Sequence, residues 1–330
     1  FSNNSILLLE LDSSDLTLDN GSLQQIDSLI SFGSCADKVI IQSLNPALAS
    51  AQLQKTGFNI YQGVGLSIDN VDAIVTSNEE YHIVSSDTTN GADGWLYKGA
   101  NFYWIADGGN WSDGNQWSFS SGGLPVGCVP SRPDTVYFDL LSFTAAGEVV
   151  LVDSVAEFSK MDWTSTSFAS TLDLDTNVIS YGDVTFYPDL LVTRSNLGNN
   201  FSFRQQSILN PDSSYIDCSI GMDMTNVADS LLLVNYLEMS DSSGIILRNG
   251  EFYTQGNNII SGDIIVVNDV TSGADSRKLD VNNSTIDLFS SFNSENDTTF
   301  IFNAGTSVFN IGDTIGKQNS LKTQGLIFNE

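Results

Sequence analysis

Four carboxylates, Asp107, Asp113, Asp134 and Asp139, flank the tryptophans Trp104, Trp111 and Trp117 within the stretch Tyr103 to Asp139. Loop carboxylates this close in sequence are the hard oxygen ligands that calcium takes, so the four are a candidate calcium set, although no EF-hand or nonapeptide pattern accompanies them. Tryptophans spaced among glycines offer either a sugar-stacking platform or the core of a folded cap. Because Trp is usually well buried, Tyr103, Trp104, Trp111 and Trp117 are assigned to a cap. Asp173 and Asp175 lie two apart, on one face of a strand, as the carboxylates of a polysaccharide-cleaving site would. In a chain with 40 acidic residues they read as acids solvating a strand. The single histidine, His82 in EYHIV, has no nucleophile motif near it. No residue is assigned a catalytic role, and the chain is expected not to be an enzyme.

Composition narrows the classes further. Forty acidic against twelve basic residues give a formal charge of -28, spread along the whole chain. Nucleic acid is excluded as a partner, because phosphate binding needs clustered Lys and Arg. Direct membrane insertion is also excluded, since no window approaches the ~20 apolar residues of a span. A hydrophobic content of 41% can still build a real core. Cys35, Cys128 and Cys218 contain no CxxC pair, so no zinc site is indicated, and three cysteines allow at most one internal bridge.

The elements that would position these residues are strands. Short alternating segments such as ILLLEL, DKVIIQSL and EVVLVD, bounded by Asn, Asp, Gly and Ser, run through the chain. Only Asn45 to Gln54 has helix formers in a row, and it is short. Two apolar series recur at near-constant spacing: Met239, Ile259, Leu279, Phe300 and Leu321, then Ile246, Val266, Ile286 and Val308. A fixed period in two phases is what a solenoid requires. The Gly, Asn, Asp and Thr content excludes a helical one. The expected fold is therefore all-β, a parallel β-helix with coils of about 20 residues, each two or three strands plus turns. A pair of β-sandwiches would not need to keep one period. Residues 1–98 read as the C-terminal part of one solenoid unit, 99–140 as an aromatic cap or linker, and 141–330 as the solenoid of the next. Residue 1 falls inside a strand, so the chain is expected to be a segment of a longer one.

The motif Tyr103, Trp104, Gly109, Asn110, Trp111, Ser112, Asp113, Trp117, Ser118 resembles a segment of giant secreted surface adhesins of Bacteroidetes, the gliding-motility type exported by type IX secretion. Cys128, Pro130, Asp134, Val136, Phe138 and Asp139 extend the match. SFTAAGEVVLV, KMDW, SRKLDVNNSTIDLF, FIFNAGTSVFNI and DTTNGADGW carry it through most of the chain. The resemblance implies an extracellular, cell-surface location. It also implies a stiff acidic stalk whose partners are adjacent repeat units of the same chain and extracellular surfaces or polysaccharides. In the family pattern a cysteine precedes KMDW and would pair with Cys128. Phe158 stands there instead, leaving Cys218 as the downstream candidate. Triplets similar to the O-glycosylation sequence of Bacteroidetes place candidate acceptors at Ser28, Thr88, Thr135, Ser154, Ser230, Thr298 and Thr314. The alternative function is a carbohydrate-active or carbohydrate-binding β-helix, lyase-like or lectin-like.

Overall fold

The structure is a computed structural model that describes residues 4–11, 14–31, 35, 38–55, 66–74, 81–83, 88–91, 93–97, 99–267, 277–294, 300–312 and 320–322. The chain is all-β, and its parallel strands stack into a β-solenoid of about 11 turns of roughly 23 residues. This is the predicted fold class, with a somewhat longer coil. A single 3₁₀ turn, Gly114–Gln116, is the only helical element among the described residues, none of which forms a helix able to cross a membrane. The stretch of helix formers after Asn45 is a turn followed by the strand Ala51–Lys55.

Two compact units divide the chain. One comprises Phe1–Asn101 with Leu124–Val129, the other Phe102–Gly123 with Pro130–Glu330. The first unit holds two four-stranded parallel sheets. Its strand Val39–Ser43 alternates buried and half-buried side chains, and its inward ladder runs Leu16, Ile41, Ile68.

The second unit has three strands in each turn and hence three faces. Glu148–Val152 begins the first face, Ala156–Phe158 the second and Thr135–Tyr137 the third. The third face continues through Lys160–Asp162, Val184–Thr185, Ser207–Asn210, Ser230–Leu233, the end of Gly244–Tyr253, Arg277–Asp280 and Phe300–Asn303, which numbers its turns one to eight. Strand alternation sends every second residue inward. On the second face the register runs through Ala156, Val178, Phe201, Ile220, Ile245, Ile264, Phe292 and Leu321. The first seven of these are buried. Each of the six larger than alanine contributes about 1.5–3 kcal/mol over an exposed one.

The register differs from the series counted in the sequence. Ile259 lies over Ile286 and Leu237, whereas Leu279 stacks between Phe252 and Phe302 on another face. Ile246 pairs with Ile265, and Val266 with Leu247. The even spacing thus mixes faces. Coil length varies because the strands are joined by unequal numbers of residues, while their pairings keep register. In the first unit Val39 and Ile41 stack on Leu66 and Ile68, the strand positions of Tyr81 and Ile83 pair with those of Trp95 and Tyr97, and Phe58 and Ile60 lie outside the described residues.

In a parallel in-register stack, acids facing acids across neighbouring coils would repel one another. None of the described strand pairings places an acid opposite an acid. Instead carboxylates accept from hydroxyls and amides one coil away: Asp173 from Thr193 at 3.0 Å and Ser195 at 2.9 Å, Asp263 from Ser291 at 2.7 Å, and Asp287 from Asn310 at 2.6 Å.

Glycine is required where neighbouring coils meet closely. Gly250 has φ +92, and a Cβ there would sit 2.3 Å from Met224 Cγ and 2.9 Å from the Asp229 carbonyl oxygen. Gly250→Ala is expected to destabilise the second unit by about 2–4 kcal/mol, from backbone strain plus overpacking. Gly147, at φ +87 with nothing within 4 Å of its Cβ, supplies the comparison. Its alanine variant carries the backbone cost alone. Equal losses for the two variants in denaturant melts would rule out the steric account.

Candidate functional site

The aromatic stretch builds the first layer of the second unit. Asn101–Trp104 pairs antiparallel with Trp117–Ser118, placing Trp104 opposite Trp117. Asn101–Trp104 also pairs with Thr135–Tyr137, and Gly109–Asn110 pairs with Glu148–Val152 in parallel. The stretch thereby continues two of the three faces before the coils begin. Between them, Asp113 caps the 3₁₀ turn by accepting from the Asn115 backbone N–H.

Trp104, Trp111 and Trp117 are fully buried, so their faces are closed to a sugar. Trp117 meets Trp104 at 5.0 Å and Trp111 at 4.8 Å, both edge-on, the favoured geometry for aromatic quadrupoles. Phe138 stacks on Trp163 with ring centroids 3.7 Å apart, and Phe143 packs on both. The indole of Trp117 donates to the Trp111 carbonyl at 3.0 Å, and that of Trp104 to the Asp107 carbonyl at 3.1 Å. Tyr103 lies further out, half-buried, stacked 4.9 Å from Tyr137.

The structure gives each of the four aspartates a local structural task. Asp107 accepts from the backbone N–H and hydroxyl of Thr144 at 2.5 and 2.9 Å. The carboxyl of Asp113 is held below its ordinary range by the Asn115 backbone N–H, then by the Gln116 amide. Asp134 is fully buried and accepts from the Ser131 backbone N–H at 2.7 Å, and Asp139 from that of Leu141 at 2.9 Å. Among the described residues no group of three or more His, Cys, Asp or Glu side chains is placed to hold a metal ion. Sequence proximity thus grouped acids to which the structure gives separate partners: Asp113, Asp134 and Asp139 each close their own turn, and Asp107 ties its loop to Thr144.

The other sequence candidates are also separate. Asp173 is committed to Thr193 and Ser195 as above, and Asp175 is exposed. His82 lies on strand Tyr81–Ile83, paired with Leu96. Of the triplet hydroxyls, Ser28, Thr135 and Ser154 are half-buried, whereas Ser230 is buried in its strand and closed to a glycan in the fold. Thr88 starts strand Thr88–Asn90, and Thr298 and Thr314 lie outside the described residues.

The cysteine expectation is corrected. Cys128 is bonded to Cys35, with Cα atoms 5.2 Å apart, and Cys218 is a buried free thiol. The reason is one of placement: Leu124–Val129 packs with the first unit, which carries Cys35. The position before KMDW is instead filled by Phe158, fully buried 6.0 Å from Trp111. The upstream partner could have been sought from the cysteine count, but no residue pattern around Cys35 marks it.

Burial pushes the Cys218 thiol up from an ordinary 9.0 to about 12. The folded state therefore keeps a proton that the unfolded chain loses. This contribution is complete below pH 9 and fades as pH rises toward 12, at up to about 1.4 kcal/mol per pH unit. Stability measured from pH 9 to 12 should fall less steeply in Cys218→Ala than in the parent. Identical slopes would refute the assignment.

One cluster had no sequence signal beyond a coil-length spacing. On the outside of turns six and seven, Lys278 donates to the Tyr253 hydroxyl at 2.8 Å and lies 4.5 Å over its ring, while the Tyr253 hydroxyl donates to Glu251. Asp280, the residue paired with Tyr253, accepts from Asn303 at 2.9 Å.

Taken together, these features define a class: a β-solenoid repeat protein with three-faced coils and an aromatic first layer. No family model, curated protein or solved structure matches the chain.

Proposed function

We propose that this chain is a non-enzymatic stalk segment of a very large secreted surface adhesin or filament, serving extension and attachment, as in gliding motility. The observation that carries the reading is the second-face ladder, an uninterrupted buried apolar column from Ala156 to Phe292 over seven turns of the second unit, whose strands stay paired into the eighth. With strands about 4.8 Å apart, seven steps give a rod of about 34 Å in which each coil is braced by its neighbours. Backbone hydrogen bonds run along the same axis, so tension along the rod acts on every ladder at once. The acid-to-hydroxyl rungs keep a surface of charge -28 compatible with close stacking, and that charge holds neighbouring rods apart. The Cys35–Cys128 bond fits an oxidising, extracellular compartment.

The test uses antibodies raised against this chain on cells that express the native protein. Labelling of intact cells, with a polypeptide far larger than 35.7 kDa in immunoblots, is the expected result. A polypeptide of that size confined to the cytoplasm would overturn the reading.

A further inference from the structure

We propose that the corner joining the third face to the first, at turns six and seven of the second unit, is a binding site for a neutral sugar ring of a glycan. The corner holds an open depression of about 340 Å³ lined by Tyr253, Gln255, Gly256, Asp280, Asn282 and Asn283. That size lies within the range of small-ligand sites.

The lining selects the ligand class by elimination. A single aromatic ring among carboxamides and a carboxylate gives an apolar ligand little to bury against. An anion would meet Asp280 on a chain of charge -28, and Lys278 beside it is already engaged by Tyr253 and lies 3.9 Å from Asp280. That same ammonium offsets the charge a cationic ligand would need. A metal ion would find only one carboxylate. Gln255 and Asn282 each carry both a donor and an acceptor, Asn283 offers its amide donor while its oxygen accepts from Thr306, and Asp280, which accepts from Asn303 and the Asn282 backbone N–H, has lone pairs left as a carboxylate; together these suit the adjacent hydroxyls of a pyranose.

The corner is also held in place. Thr254 and Ser284, buried beneath it, share a hydrogen bond of 2.6 Å, and Asn257 donates across the coils to the Leu233 carbonyl at 2.9 Å. Gln255 has φ +56, a strained backbone for a residue with a Cβ; the equivalent first position at turn eight, one corner beyond Asn282, is Gly305 at φ +54. A glutamine is thus kept where glycine would be unstrained, and its exposed carboxamide is presented at the rim.

The proposal stands on this geometry alone and holds whether or not the chain is part of a stalk. The test titrates the whole chain with hexasaccharides of β-1,4-glucose, β-1,4-mannose and β-1,3-glucose, and with hexagalacturonate, followed by calorimetry and saturation-transfer NMR. At least one neutral hexasaccharide is expected to bind. Its affinity should fall tenfold or more in Asp280→Asn and in the double variant Gln255→Ala with Asn282→Ala. The double variant changes only exposed turn side chains, and its unaltered melting temperature separates lost binding from lost folding. Absence of binding by every neutral probe, affinity unchanged in both variants, or a preference for hexagalacturonate would each overturn the proposal. None of these outcomes bears on where the native polypeptide resides, which tests the stalk reading.

Discussion

Replacing Trp117 with alanine is expected to cost the second unit about 3–5 kcal/mol, the range for deleting a fully buried large aromatic side chain. Trp117 is the hub of the first layer. It touches Phe102, Trp104, Trp111 and Phe138 with ring centroids between 4.8 and 6.3 Å, and its indole closes the Trp111 carbonyl. The cavity would open at the end of the coil stack, where the first turns have no solenoid neighbour from their own unit to brace them. In a chain stabilised by nearest-neighbour stacking, that loss is local but frees the coils next to it to fray. Trp117→Phe, which keeps an edge-on ring, should recover more than half of the stability. Denaturant melts decide the matter, and a cost below about 1 kcal/mol for the alanine variant would mean that the layer is not a packed core.

Removal of the Cys35–Cys128 bond is expected to have an effect of similar size in the first unit. The bond closes a loop spanning 93 residues, and loop-closure entropy for that length corresponds to about 4.6 kcal/mol in the chain-entropy model. Cys35→Ser and reduction of the parent chain should both lower the melting temperature of this unit, while the second unit, whose Cys218 is not bridged, should keep its own. Alkylation in denaturant without reductant should modify one cysteine, and after reduction three. Three modified cysteines before reduction would exclude the bond.

Much of the architecture was legible because strands obey a period of two that survives in any context. Segments such as Ser170–Leu174 alternate buried and half-buried residues as their apolar pattern requires. The density of Gly, Asn and Asp between them marked the corners. The register was not legible. Ile259 and Leu279 look like successive rungs by spacing, yet the unequal lengths of chain between strands put them on different faces. Burial of Trp104, Trp111 and Trp117 followed from residue type, but the roles of Asp107 and Asp134 did not. A carboxylate that caps a turn and one that binds calcium share the same composition and local spacing. The corner of Gln255 and Asn282 was invisible for a further reason, since its lining comes from two coils that only stacking brings together.

The unequal coils have a consequence for how such a chain carries information. Successive rungs of the second-face ladder are separated by as few as 19 residues, from Phe201 to Ile220, and by as many as 29, from Phe292 to Leu321. A residue's surroundings are therefore given by an address, its face and its turn, and not by its distance along the chain. Lengthening a corner leaves every address intact, because loop extension costs little once the strands on either side are fixed. Two chains of this kind could share every rung while having no common period for an alignment to follow. Comparison by address would recover that kinship.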